Sequence, residues 1–400
     1  MRHIAISDFK VDDEGKRRII ELLDSGKISE GVNVREFEKL WAGFVGTKYA
    51  ILTNSGTSAL IAGLEAFKLL RGVPNGSKVI TSPMTYVATS NAIVKSNLTP
   101  VYIDIDLETF SINPNLIREH LENNNPKDYS LILPVHLMGY PCDMDKINKI
   151  AKDFNLDVFE DSAQAHGTLY KGKRVGSLSL LSGFSFYMAH NIQVGELGAV
   201  TTDNLEIYKL IKKLKANGRT CDCFKCTRKE GYCPRLKTEE DFENDPRFSH
   251  DLIGYNFKTM EFQAVLGLIE LKKVDSIIRK RQENVKFLNE SLKDLQDTLF
   301  LPKFSKDFSY LAYPMIIKKD FTRQQIRMKL EANGIETRPM FGSIPTQQKS
   351  YSFLKKKYEG KLPNADFIGR NGFYISCHQF LEQEDLEYIV KVIKKIIMDG

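Results

Sequence analysis

Lys48-Tyr49-Ala50-Ile51-Leu52-Thr53-Asn54-Ser55-Gly56-Thr57-Ser58-Ala59-Leu60 changes character at its middle. The first six residues form a short apolar run that reads as a buried strand, and Asn54-Ser55-Gly56 stops it. From Thr57 to Leu70 the period lengthens to that of a helix, with Leu60, Leu64 and Phe67 on one face. The same order then repeats. Lys78–Thr81 reads as a strand followed by a helix from about Tyr86 to Lys95, and further strands are expected at Pro100–Asp104, Leu131–His136 and Leu156–Asp161. Short apolar runs between helices specify a mostly parallel sheet with helices on both faces, an α/β architecture. Ligand groups in such sheets collect at the carboxyl ends of strands, where Gly56-Thr57-Ser58 and Glu160-Asp161 stand.

The chain has 400 residues, 42% of them hydrophobic and 27% charged, which suits one large globular unit and a smaller one. No apolar run approaches the roughly 18 residues of a membrane span. Met1-Arg2-His3-Ile4-Ala5 lacks the apolar stretch of a secretory signal, so a cytoplasmic location is expected. With 57 basic and 51 acidic residues the formal charge is +6. That excess is diffuse: it suits an anionic small substrate and lacks the concentrated basic stripe of a nucleic-acid binder. The strand–helix pattern breaks after Ala216, and residues 217–250 read as a long ordered loop or insert. A helical period returns from Met260 to Leu295, followed by a strand at Tyr310–Ile317 and helices at Thr322–Asn333 and Leu386–Met398. These patterns predict a large domain over 1–255, carrying the insert, and a linking helix with a smaller C-terminal α/β domain over 256–400.

Three stretches carry residues suited to chemistry. Thr53–Leu60 joins a strand end to a helix start, where backbone N–H groups and hydroxyls can hold a phosphate monoester, although the same pattern serves an ordinary helix cap. Glu160-Asp161-Ser162-Ala163-Gln164-Ala165-His166 follows a buried strand, and a carboxylate there can hold a protonated ring nitrogen or simply cap a loop. The third is Gly183-Phe184-Ser185-Phe186-Tyr187-Met188-Ala189-His190-Asn191, followed by Gly195-Glu196-Leu197-Gly198-Ala199-Val200.

Taken in order, these stretches resemble the sugar-nucleotide aminotransferase family (the DegT/DnrJ/EryC1/StrS group) of fold-type-I vitamin B6 enzymes. Ser82–Thr89, Pro100–Asp106, Val135–Pro141 and Gly254-Tyr255-Asn256-Phe257 match as well, so the resemblance spans essentially the whole chain. It implies the aspartate-aminotransferase-like fold and a set of roles. Gly56, Thr57 and Ser185 would bind the cofactor phosphate, and Tyr86 would stack on the pyridine ring. Asp161 would pair with the ring nitrogen, Gln164 would contact the phenolic oxygen, and Asn256 would reach the phosphate of a neighbouring subunit, which implies a homodimer with shared sites.

One departure redirects the function. Aminotransferases of this family carry a Schiff-base lysine where this chain has His190, and no lysine lies between Lys173 and Lys209. Histidine cannot form that linkage, but its usual pKa of about 6.5 suits a base. The substitution resembles the 3-dehydratase branch, in which pyridoxamine 5'-phosphate rests untethered and the C3 hydroxyl of a nucleotide-linked 4-keto-6-deoxy sugar is removed.

Cys221, Cys223, Cys226 and Cys233 form a C-x-C-x2-C-x6-C arrangement. Four thiolates in a short loop suit zinc or an iron–sulfur cluster, and spacing alone does not choose between them. The iron–sulfur CDP-4-keto-6-deoxyglucose 3-dehydratases carry a similar insert at this place. That resemblance implies a [2Fe–2S] cluster fed by a flavin or iron–sulfur reductase. Those enzymes also have a cysteine in the segment matching Asp161–Gln164, where this chain reads Ser162-Ala163-Gln164, so Cys233 would take its place. Arg338 would approach substrate, while His136 and His166 read as structural and His378 as a helix cap. The expected function is therefore a pyridoxamine-phosphate 3-dehydratase of deoxysugar biosynthesis. Its alternatives are a cluster-free dehydratase that draws its amine from glutamate, a pyridoxal-phosphate aminotransferase, and a non-enzymatic B6-binding scaffold with a zinc loop.

Overall fold

The computed structural model describes residues 2–221, 223, 226–234, 236, 238, 243 and 245–398. Two helices come first, α1 (Asp13–Asp24) and α2 (Val32–Val45). Then strands and helices alternate: β1 (Tyr49–Thr53), α3 (Gly56–Arg71), β2 (Lys78–Thr81), α4 (Val87–Lys95), β3 (Thr99–Tyr102), α5 (Pro114–Glu122), β4 (Tyr129–Leu133), α6 (Met144–Asp153) and β5 (Asp157–Asp161). A small hairpin of β6 (Leu169–Tyr170) and β7 (Lys173–Arg174) precedes β8 (Leu181–Ser185), β9 (Gly198–Thr202) and α7 (Leu205–Leu214).

Seven strands form the main sheet in the order β1-β9-β8-β5-β4-β2-β3. Pairs β2–β3, β2–β4, β4–β5 and β5–β8 are parallel, while β9 runs antiparallel to both β1 and β8. The parallel majority is as expected, and the expected strands lie within about three residues of their places. Strands β8 and β9 were not anticipated. Helix α3 seats on the sheet through glycine: a Cβ at Gly63 would fall 2.5 Å from the Phe159 ring of β5, closer than side chains approach.

The expected helical stretch after Met260 is one helix, Glu261–Leu292, of 32 residues. Its first residue fastens α2. The buried Glu261 carboxylate accepts from Gly31 N (2.7 Å), Asn33 N (2.9 Å), Val34 N (2.9 Å) and Asn33 Nδ2 (2.8 Å). The three backbone donors are N–H groups at the start of α2 that the helix itself leaves unpaired. Beyond it a four-stranded antiparallel sheet, β10-β11-β13-β12, is built from β10 (Leu299–Phe300), β11 (Tyr313–Ile317), β12 (Arg338–Pro339) and β13 (Gly372–Ile375). The first residues of the chain pack on this second sheet's side. Ile4 bridges to Ile335 and Ile6 N donates to Glu336 Oε2 at 2.9 Å.

Of the Cys-bearing insert, Asp222, Phe224, Lys225 and most of 235–244 lie outside the described residues. The described part includes a short 3-10 turn at Thr227–Glu230. No helix among the described residues is long and apolar enough to cross a membrane.

Candidate active site

Three strand ends meet at the carboxyl edge of the main sheet. At the first, Ser55 leaves β1 in an extended conformation and its hydroxyl accepts from Ser58 N (3.1 Å), capping α3. A Cβ at Gly56 would lie 2.4 Å from Ser185 Cβ and 2.8 Å from its Oγ. Glycine there lets the end of β8 touch the N-terminus of α3, so Gly56, Thr57 and Ser185 are brought together. A 16-residue helix beginning at that contact offers unpaired N–H groups and the positive end of its dipole to an anion.

At the second, β5 ends in two carboxylates that alternate across the sheet. Glu160 turns away into a closed network, accepting from Gly176 N (2.8 Å), Leu178 N (2.9 Å) and Ser179 Oγ (2.9 Å). It also meets His136 Nε2 at 3.0 Å, while Cys142 N donates to His136 Nδ1 (3.0 Å). The His136 proton therefore sits on Nε2, and this imidazole is structural. Asp161 turns toward the site. Its buried Oδ2 accepts from Thr89 Oγ1 (2.7 Å) and its Oδ1 from Ala163 N (3.1 Å). Thr89 gives its proton to Asp161, so Thr85 must donate in the 2.7 Å Thr85–Thr89 contact. Burial pushes the Asp161 carboxyl above its usual range, against the pull of Thr89. A carboxylate held this way is ionised most readily when a cation stands beside it. Gln164 Oε1 accepts from Met138 N (3.0 Å), which leaves its NH2 unpaired among the described residues. Tyr86 sits just before α4, 60% exposed, with its ring 5.8 Å from that of Phe341.

The third strand end carries the histidine. His190 lies in the turn after β8, with its N–H on Tyr187 O at 2.9 Å. Its Nδ1 stands 2.7 Å from Ser185 O. A carbonyl only accepts, so the proton is on Nδ1 and Nε2 carries a lone pair. That nitrogen has no hydrogen-bond partner among the described residues. Burial lowers the ring's pKa to about 4; the Ser185 carbonyl works against the shift and the Arg281 charge adds to it. Behind it, His166 Nδ1 accepts from Ile192 N (3.3 Å) while its ring meets Trp41 edge-on at 5.5 Å. The next residue, Asn191, is buried and donates from Nδ2 to Ser309 Oγ at 2.6 Å.

Other residues singled out in the sequence lie at the margins. Arg338 is exposed and paired with Glu336 Oε1 at 2.7 Å. It pairs in register with Tyr374 of β13. The Asn256 loop is fastened beside the Gly56 cradle, since Asn54 N donates to Phe257 O (2.9 Å) and Asn54 Nδ2 to Asn256 O (3.4 Å). The Asn256 side chain has no hydrogen-bond partner among the described residues, and neighbouring Ile253 is 99% exposed.

The four clustered cysteines do not assemble. Cys221 is tied by its N–H to Pro246 O (3.2 Å), Cys226 opens the 3-10 turn, and Cys223 and Cys226 are exposed. No group of three or more His, Cys, Asp or Glu among the described residues could hold a metal ion. The donor set suits zinc or a cluster, but its placement fits neither. Reading of the sequence missed Thr85, Thr89, Asn191 and Arg281. Only the i, i+4 spacing of the two threonines at a helix start hints that they share a partner.

Residues 10–394 match the model of the DegT/DnrJ/EryC1/StrS aminotransferase family. The chain is 30% identical over 401 residues to a dTDP-4-dehydro-2,6-dideoxy-D-glucose 3-dehydratase of Saccharopolyspora spinosa, covering 97% of this chain and 85% of that one. Among solved structures, it superposes on a Helicobacter pylori aminotransferase involved in the biosynthesis of pseudoaminic acid with a TM-score of 0.87, at 26% identity and full coverage of both chains. An E. coli GDP-4-keto-6-deoxy-D-mannose-3-dehydratase with bound hydrated PLP gives a TM-score of 0.85 at 25% identity, covering 98% of this chain and 100% of that one.

The His190 geometry has a consequence for stability. The imidazole protonates near 6.5 when free but near 4 in the fold. As pH falls from about 6.5 to about 4 the unfolded state therefore holds the extra proton, and stability is lost. Between about pH 7 and about pH 5 the wild type is expected to lose about 2 kcal/mol more unfolding free energy than His190→Asn, read by urea melts. Equal losses would show that the ring already protonates in the folded protein.

Proposed function

The chain belongs to the DegT/DnrJ/EryC1/StrS aminotransferase family, and we propose that within it this protein is a pyridoxamine 5'-phosphate-dependent 3-dehydratase. Its substrate is a nucleotide-linked 4-keto-6-deoxy sugar, and its product feeds deoxysugar synthesis for lipopolysaccharide, O-antigen or capsule. The observation that carries this reading is His190, an imidazole with an open Nε2 lone pair where the family's aminotransferases need an amine. No lysine lies between Lys173 and Lys209 in the sequence. Buried Lys215 is committed to Leu52 O (2.8 Å), Glu30 (3.0 Å) and Glu38 (3.5 Å).

The residues present fit the vitamin. A cradle that one methyl group at Gly56 would fill supports a phosphate held by Gly56, Thr57 and Ser185. Asp161, buried beside a hydroxyl and an amide and forming no ion pair among the described residues, supports a protonated ring nitrogen as its partner. Tyr86 and Gln164 would flank the ring and its phenolic oxygen. When bound, the vitamin supplies an amine to engage the ketone and a ring that accepts the electron pair of a broken C–H bond.

This chain's own work is proton handling. Ser185 O holds Nδ1–H, so His190 presents Nε2 to take a proton from carbon beside the amine. The resulting imidazolium would return a proton as the C3 hydroxyl departs as water. Asp161, oriented by Thr89 and Thr85, would keep the ring nitrogen of the bound vitamin charged. The core around Trp41, Phe184, Phe186 and His166 keeps water from the rear of the base.

Two routes restore the amine. Glutamate can donate its nitrogen, with no external electrons, or a reductase can supply electrons through a cysteine-held [2Fe–2S] cluster. Among the described residues no three of the thiols of Cys221, Cys223, Cys226 and Cys233 converge, which favours the glutamate route. Asn256, with its unengaged side chain beside exposed Ile253, supports a homodimer in which it reaches the neighbour's phosphate. Arg338 would meet the substrate's phosphates or sugar oxygens after exchanging its Glu336 partner.

Assays with dTDP-, CDP- and GDP-linked 4-keto-6-deoxy sugars test the reading. His190→Asn is expected to lower C3 deoxygenation by about 100-fold or more while pyridoxamine phosphate stays bound; full activity in that variant would refute it. Metal analysis after anaerobic purification separates the routes. Iron with labile sulfide would show that the cysteine loop closes around a cluster, whereas metal-free protein that consumes glutamate would assign the amine route.

A further inference from the structure

Arg281 is among the largest side chains that the fold buries completely, at 1% exposure, and it has no carboxylate partner among the described residues. Glu270 acts on it only from beyond ion-pair distance, and a buried guanidinium so weakly compensated is costly, so its position calls for a cause. Its hydrogen bonds go to neutral acceptors: Nε to Gln379 Oε1 (3.2 Å), and Nη1 to Leu311 O (2.7 Å) and Tyr310 O (3.3 Å). The Tyr310 carbonyl also accepts from Asn191 Nδ2 at 3.3 Å, and Asn191 bonds Ser309 Oγ besides. Asn191 is the residue after His190. Three residues along the same helix face, Asn284 donates to Cys377 O (3.2 Å) and His378 O (3.0 Å). One helix thus grips the approach to β11 and the exit from β13, and the base-carrying turn hangs on the first of these.

We propose that Arg281 is the positioning residue for the base: by fixing the Tyr310 carbonyl that Asn191 also holds, it ties the His190 turn to the C-terminal sheet. The role given to His190 rests on the function proposed above; the tie itself does not. The geometry has an electrostatic corollary. The His190 ring faces His166 from the loop after β5 at 6.0 Å, Tyr187 from its own turn at 6.0 Å, and the Ser185 carbonyl. His166 is itself held neutral by burial. Arg281 is then the charged group acting on the ring among the described residues, and its charge disfavours protonation.

The test uses the full-length protein with ring-13C-labelled histidine, the His190 signal being assigned by its loss in His190→Asn. Arg281→Met is expected to raise the His190 titration midpoint by about one unit, and Arg281→Lys, which keeps the charge but not the fork, to leave it low. Hydrogen exchange across residues 187–191, read by mass spectrometry, is expected to quicken about tenfold in both Arg281 variants and in Asn191→Ala. A folded Arg281→Met with wild-type midpoint and exchange overturns the proposal. Should Arg281→Met not fold, unchanged exchange in Asn191→Ala overturns it equally. Neither readout needs turnover, so activity persisting in His190→Asn would sink the dehydratase reading and leave this one standing.

Discussion

The 2.7 Å hydrogen bond from His190 Nδ1 to the Ser185 carbonyl decides which imidazole nitrogen is available for chemistry. Ser185 ends β8, and its side chain touches the space above Gly56 where α3 begins. The same residue thereby sets the distance between an anion cradle and a base. β8 can do this because it lies in register between β5, whose end carries Asp161, and antiparallel β9. Shifting any of these strands by one residue would turn Asp161 or Ser185 to the opposite face. Sheet register, more than any single side chain, therefore holds the site together.

A base pushed to about 4 is always available near neutrality but intrinsically weak. Burial is the main cause, and burial acts on the ring before anything anionic arrives. Two phosphate groups, one in the Gly56 cradle and one on a nucleotide, would bring negative charge that favours the protonated ring. The same charges would suit the mildly basic chain. Ligand binding and base strength are coupled in this picture, with Arg281 setting the starting point.

Legibility in the sequence followed local signals. β1, β2 and β5 are apolar runs with clear stops, and they were readable, as was the helix from Met260 onward. β8 was not: Leu181-Ser182-Gly183-Phe184-Ser185 has no β-branched residue, and pairing with Phe159–Asp161 makes it a strand. Asp161 and Gly56 could be singled out because strand ends are privileged positions, whereas the roles of Thr57, Tyr86, Gln164, Ser185 and Asn256 came from family resemblance. Thr89, Asn191 and Arg281 stayed hidden because their partners lie 72, 118 and 29 residues away. The cysteine spacing was conspicuous, yet spacing says nothing about whether four thiols converge.

A base at position 190 requires that the vitamin carry no covalent tether to the chain. Borohydride reduction of the protein loaded with pyridoxal 5'-phosphate, followed by peptide mass spectrometry, measures this directly. No lysine is expected to carry a pyridoxyl group, and the cofactor is expected to separate intact on denaturation. A stoichiometric pyridoxyl-lysine peptide from this chain would contradict this.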